Sequence, residues 1–292
     1  FGVETIEEIS WRNVLLLENT LKTKSCLYDS KMAMSKPRPG TILVLCHSRT
    51  THLSRMLKAL EVAEGLDEWD VLICAQDPSQ PIRRILHNLE LPFFKIEERN
   101  LEDKDFSIKK CINSNVFWGL QKIFENPEKK YAIVLEDDII ISKFFLRYMT
   151  LMFSRFGEHR NFRGVNSASS FCGEFPSNAF GKYNQGLMWG WGITRKVHKK
   201  MSRIWSGNED THWDHFLEPY LRTGFVVNPL FSQVMNIGFD ETANHTISNS
   251  ALGIKIQESF LKGLKIRDQE WGETNLDFRM RKDFLKLSGE SV

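Results

Sequence analysis

The stretch Tyr131-Ala-Ile-Val-Leu-Glu-Asp-Asp-Ile-Ile-Ile141 decides how the rest of the chain is read. Its first five residues form an uninterrupted apolar run of strand length, the pattern of a strand buried on both faces of a parallel sheet. The run stops at Glu136-Asp137-Asp138 and resumes at Ile139. Three adjacent carboxylates between apolar stretches need compensation, because desolvating an ionised carboxylate costs several kcal/mol. A solvated acidic turn is one answer. A hard divalent cation is the other, since Mg²⁺ or Mn²⁺ takes oxygen ligands from one or two carboxylates while substrate phosphates and water complete the shell.

Working outward, similar runs stand at Thr41 to Cys46, Asp70 to Ala75 and, more weakly, Phe93 to Ile96. Helical spacing separates them, over Leu53 to Glu64, Pro81 to Leu89 and Ile108 to Phe124. The alternation predicts an α/β fold, a mostly parallel sheet flanked by helices. Ligands of such sheets bind outside the carboxyl ends of the strands, so the residues just after each run are the candidates.

After the first run comes His47-Ser-Arg49-Thr-Thr51, where Arg49 is placed to meet a phosphate or a base and is equally well explained as a surface Arg. The second ends at Ala75-Gln-Asp77-Pro78, a carboxylate that either accepts from a base or ribose or simply forms a turn. Asn184-Gln-Gly-Leu-Met-Trp-Gly-Trp-Gly192 is rich in Gly and Trp, fitting a glycan-contacting loop or a core loop with buried indoles. In Thr211-His-Trp-Asp214-His-Phe, the acid among aromatics is either a general base or a helix N-cap.

In order along the chain, these pieces resemble the GT-A glycosyltransferase family of β-1,2-N-acetylglucosaminyltransferase I and the protein O-mannose N-acetylglucosaminyltransferase. The likeness is carried by Thr41 to Thr50, Ile73 to Asp77 and Val116-Phe-Trp118, and most strongly by Glu136-Asp137-Asp138 with Phe144-Phe145. Gly190-Trp191, Trp213-Asp214 and Phe225 to Gly238 continue it, with an echo in Phe260 to Lys265. The resemblance implies a Rossmann-like GT-A domain over 40–265, with a nucleotide-sugar half (about 40–145) and an acceptor half (about 146–265). It also implies transfer of a sugar, N-acetylglucosamine from UDP-GlcNAc, to a mannose-type glycan hydroxyl with inversion.

Under that resemblance Asp138 holds Mn²⁺ (or Mg²⁺), Glu136 and Asp137 contact the sugar and ribose, and Arg49 and Asp77 hold the uridine end of the UDP-sugar. Asn115, Gly190 and Trp191 line the donor site, and Asp214 is the base. His215 stands where the family has a second Asp, so the base is Asp214 or His215; Asn115 stands where a family His is expected. The alternatives are the same fold with another nucleotide sugar, a nucleotidyltransferase, or a non-catalytic glycan-binding protein.

Composition excludes other classes. The 292 residues carry 39 Lys+Arg against 37 Asp+Glu, and this near-balanced charge of +2 argues against bulk electrostatic binding of nucleic acid, which needs a clustered basic surface. No apolar stretch approaches the roughly 20 residues that span a bilayer, and no signal peptide is recognisable. Five cysteines without a C-x-x-C pair indicate neither a zinc site nor a disulfide framework, although Cys46 and Cys74 fall on strands that are candidates to be neighbours. Thr5 and Glu8 have capping-box spacing, so residues 1–39 are expected as a helix and linker, and 266–292 as a tail. Asn244-His-Thr246 is a possible sequon. Two settings fit, a Golgi lumen with the anchor removed, or the cytoplasm of a bacterial or virus-infected cell.

Overall fold

The computed structural model describes residues 38–100, 107–171, 180–184, 186–238 and 251–265. The expectations for residues 1–37, the sequon at Asn244, the tail 266–292, Cys26 and Cys172 lie outside the described residues.

Strand β1 (Gly40–Cys46) pairs in parallel with β2 (Trp69–Gln76) on one side and β4 (Tyr131–Glu136) on the other, and β3 (Phe94–Arg99) lies parallel beyond β2. Ile42, Leu43 and Val44 are all fully buried, as a run without alternation requires when both faces are covered. Past β4 the sheet turns mixed. Its full order is β3-β2-β1-β4-β8-β6-β9-β7, with β6 (Phe162–Val165), β7 (Phe180–Tyr183), β8 (Trp191–Thr194) and β9 (Phe225–Pro229). Strand β8 runs antiparallel to both β4 and β6, β9 is parallel to β6, and β7 closes the edge antiparallel to β9. The α/β architecture with a mostly parallel sheet is therefore as expected, and the antiparallel insertions mark its C-terminal half.

Helices α1 (Thr50–Glu61), α2 (Gln80–His87) and α3 (Ile108–Glu125) follow the first three strands, each within three residues of the span expected from periodicity. The close fit of α3 on β1 depends on Gly119: a Cβ there would stand 2.5 Å from Leu43 Cδ2. After β4, the run Ile139–Ile141 forms β5, which pairs antiparallel with β10 (Val234–Asn236) in a small second sheet. Helix α4 (Phe145–Phe156) then buries Phe145, Leu146, Met149, Met152, Phe153 and Phe156, one face at helical spacing. The double Phe is thus a helix start, Phe144 at its N-cap position and Phe145 in the core.

Three further α-helices follow in the described chain: α5 (Arg195–Met201), α6 (Trp213–Leu221) and α7 (Ala251–Lys265). Ile256, Ser259 and Phe260 of α7 are buried, and Ser259 Oγ accepts from Ser232 N at 3.1 Å, tying α7 to the segment before β10. Cys46 and Cys74 do not face one another. In the β1–β2 register Leu45 is opposite Cys74 and Cys46 opposite Ala75, so the two thiols point to opposite faces and neither is disulfide-bonded. Burial pushes the Cys74 thiol up to about 12, and Cys46 higher still.

One core group makes stability depend on pH. His198 of α5 is 5% exposed, stacked on Phe124 at 4.6 Å between centroids, with Nε2 3.2 Å from Ser202 Oγ. Burial, with the nearby Arg195 charge, lowers it to about 4 from an ordinary 6.5. Between those values the unfolded chain binds a proton that the folded chain does not. Stability supplied by the neutral ring is therefore complete above about 6.5 and is lost as pH falls towards 4. We expect His198→Phe to flatten the fall in melting temperature between pH 7 and pH 4.5; an unchanged slope would mean that other groups govern it.

Candidate active site

The carboxyl ends of β1, β2, β3 and β4 open on one side of the sheet, as parallel pairing in a common direction requires. Glu136 ends β4, and Asp137 and Asp138 form the turn into β5. Asp137 and Asp138 are 4% and 6% exposed, so the triplet is not a solvated turn. Its compensation comes from Arg49, at the N-cap position of α1. Arg49 Nη2 donates to Asp137 Oδ1, and Nη1 lies 2.9 Å from Asp138 Oδ2.

The second sheet walls the triplet in. Ile237 N donates to Asp138 O at 2.9 Å, and a Cβ on Gly238 would lie 2.2 Å from Asp138 Oδ2 and 2.8 Å from Arg49 Nη1. Only a residue without a side chain fits there. Asp138 Oδ1, by contrast, is buried without a hydrogen-bond partner. A buried, orphaned carboxylate oxygen costs about 1 to 3 kcal/mol or more unless something meets it, and a hard divalent cation is chemically suited. Among the described residues no group of three His, Cys, Asp or Glu converges as a metal cage. Asp138 could thus supply one ligand to such a cation, the rest coming from outside the described side chains.

Crowding shifts the neighbours. Glu136 is raised to about 8, by burial first and then by the Asp138 and Asp137 charges, with Arg49 opposing and Asp214 adding to the rise. Asp137 is raised by burial, against the pull of Arg49. The effect of Asp214 on Glu136 brings the acid of α6 into the electrostatic field of the triplet across 78 residues of chain.

Beside the triplet lies a polar cluster only partly foreseen. Asn115, 7% exposed on α3, donates through Nδ2 to Gln76 Oε1 and accepts from Arg99 Nη1 at 2.7 Å. Arg99 Nη2 also donates to Ser114 Oγ at 2.8 Å, and His47 Nδ1 lies 2.8 Å from Gln76 O. Asp77 stands exposed at the end of β2 in the left-handed region, φ 41°, its N–H donating to Arg99 O at 2.9 Å. An Asp before Pro tolerates that turn conformation. Gln76, Arg99 and Ser114 were not singled out from the sequence. The signal for Arg99 was the strand itself, which continues three residues past Ile96 despite its charged residues because β3 is an edge strand.

In the C-terminal half, Gly190 has φ 61°, and a Cβ there would lie 2.5 Å from Ser167 Oγ, which lies within hydrogen-bond distance of both Trp189 O (3.0 Å) and Gly190 O (2.5 Å). Trp191 is 1% exposed on β8, its ring 4.5 Å from that of Trp213 and tilted by 32°. Its indole is thus packing, and what it packs is the first turn of α6. His212 rather than Asp214 occupies the N-cap position. Asp214 follows with its side chain 41% exposed, more open than its aromatic neighbours in sequence imply, and Oδ1 accepts from His215 N at 2.9 Å. His215 is 73% exposed, Nε2 4.0 Å from Asp214 Oδ2.

No protein-family model and no curated protein matches this chain. Among solved structures, it is similar to the crystal structure of S. aureus TarS 1-349 over 68% of this chain and 60% of that one, with 10% identity and a TM-score of 0.49. A second S. aureus TarS structure gives 67%, 36%, 11% and 0.47 in the same order. The mannosyltransferase PcManGT from Pyrobaculum calidifontis in complex with GDP-Man and Mn²⁺ gives 76%, 65%, 10% and 0.43. The chain spans less than two thirds of each. What the site can do is read from its own side chains.

Proposed function

We propose that the chain is a metal-dependent, inverting glycosyltransferase that moves a sugar, N-acetylglucosamine first among candidates, from a UDP-sugar to a glycan hydroxyl of mannose type. The observation that carries this reading is Asp138, buried at the carboxyl end of β4 with Oδ1 unpartnered, in a field that also includes Asp214. A buried carboxylate poised for a cation and a second, accessible carboxylate nearby are the two parts that a displacement at a sugar carbon needs.

Mn²⁺ or Mg²⁺ on Asp138 would neutralise charge developing on the departing UDP. Glu136 and Asp137 face the sugar and ribose, while Arg49, Asp77 and Asn115 border the uridine end. Gly190 keeps the donor-side wall close, and Trp191 supports it from within by holding Trp213. Asp214 takes the proton from the attacking acceptor hydroxyl, and attack from the face opposite UDP inverts the anomeric carbon. Donor and glycan are the partners this chemistry requires. Among the described residues no helix is long and apolar enough to cross a membrane.

Melting curves with a panel of nucleotide sugars, with and without Mn²⁺, test the reading. A ligand at about 100 times its Kd stabilises by about 2.7 kcal/mol, a shift of several degrees for a chain of this size. We expect UDP-N-acetylglucosamine with Mn²⁺ to give the largest rise, and UDP to be released when a mannose-type acceptor is added. A larger rise with another nucleotide sugar would change the donor. Pyrophosphate release from UTP and sugar phosphate would indicate a nucleotidyltransferase, and saturable glycan binding without donor consumption a binding protein. Identical melting temperatures throughout would sink the transferase reading.

A further inference from the structure

We infer that Arg49 is a built-in counter-cation for the acidic triplet, so that a divalent metal binds this site well only together with a nucleotide diphosphate. The inference rests on the reading that Asp138 is the metal ligand. It makes Arg49 a positioning residue that sets the order of loading, beyond its place at the uridine end.

The geometry is specific. The N-cap position favours Ser, Thr, Asp or Asn, whose side chains satisfy the first free N–H groups of the helix. Arg49 makes no such cap, and its guanidinium instead bridges Asp137 and Asp138. The planar fork suits this, because two of its N–H groups reach two different carboxylates at once. Asp138 is thereby divided: Oδ2 is held by Arg49 while Oδ1 is buried without a hydrogen-bond partner. A side chain at position 238 would collide with both Oδ2 and Nη1, so Gly238 lets the backbone close over the Arg49–Asp138 pair.

Charge gives the direction. Arg49 cancels one unit of the triplet's negative charge at contact distance, through Asp137 and Asp138. A divalent ion arriving alone meets a weakened attraction and a fixed positive neighbour, which in a partly buried site is screened less than in water. A diphosphate brings negative charge of its own. It offers the guanidinium and the metal a shared partner, and repulsion between them becomes joint attraction.

Mn²⁺ titration of the whole chain, by calorimetry or by the electron-spin signal of free Mn²⁺, reads this without turnover. For the wild type we expect weak binding of Mn²⁺ alone and at least about tenfold tighter binding with UDP present. Arg49→Gln should bind Mn²⁺ alone about tenfold or more tighter than the wild type, melt lower without metal, and regain its melting temperature when Mn²⁺ is added. A residue that merely supported the fold would not raise metal affinity when removed. Arg49→Lys, which keeps the charge but loses the fork, should bind Mn²⁺ alone more tightly than the wild type and less tightly than Arg49→Gln, and serves if the Gln variant does not fold. If neither variant binds Mn²⁺ alone more tightly, while wild-type binding of Mn²⁺ with UDP persists and is lost in Asp138→Asn, the inference fails and the metal site stands. If the wild type binds no Mn²⁺ even with UDP, the metal reading falls and takes the inference with it.

Discussion

Asp138→Asn is expected to reduce UDP release from the donor at least about 10³-fold while leaving the protein folded. A metal acting as Lewis acid supplies several kcal/mol of charge stabilisation, and each 1.36 kcal/mol is about tenfold in rate, so losing the ligand that holds it costs about 4 kcal/mol or more. The fold should not suffer, because Asn keeps the shape and removes a charge that is 6% exposed and crowded by Glu136 and Asp137. Relief of that repulsion offsets the loss of one contact with Arg49, whose other contact, to Asp137, remains. Initial rates and melting curves on the same preparation decide the matter. A variant that keeps within about tenfold of wild-type turnover would remove Asp138 from the chemistry.

The second large effect is expected at Asp214. Replacing it with Asn should lower kcat about 10²- to 10⁴-fold, the range for loss of a general base, with a smaller change in KM for the donor. His215→Ala should cost less than about tenfold, because the His215 side chain is 73% exposed and its Nε2 lies 4.0 Å from the Asp214 carboxylate. The opposite ranking would transfer the base to His215, the position at which this chain departs from the family it resembles. Trp191→Ala provides an independent check, since removing a buried indole that seats Trp213 should cost about 3 to 5 kcal/mol of stability and displace Asp214 as well.

Much of the frame was legible because it depends on local pattern. The runs at β1, β2 and β4, the helices between them and the position of the acidic triplet follow from periodicity and from where polarity breaks an apolar stretch. Where reading from sequence fell short, nonlocal pairing was responsible. The run Ile139–Ile141 looked like a continuation of β4 and instead joins β10, about 95 residues later, which no local pattern can announce. The Trp-rich segment Asn184 to Gly192 left a glycan-contacting loop and a core loop with buried indoles both open, because burial of Trp191 depends on what comes to lie over it.

By itself, the sequence determined that this chain makes a helix-covered parallel sheet with carboxylates at a strand end, because strand and helix periods and the cost of burying charge are properties of neighbouring residues. Tertiary structure alone decided which cation answers those carboxylates. Arg49 reaches Asp137 across 88 positions, leaving one buried oxygen of Asp138 without a hydrogen-bond partner, and the same packing links Arg99 to Asn115 and turns Cys46 away from Cys74. Those outcomes depend on strand order and register, which are set by the whole core at once: a shift of one residue exchanges the faces of a strand, and a different neighbour would give the triplet a different partner.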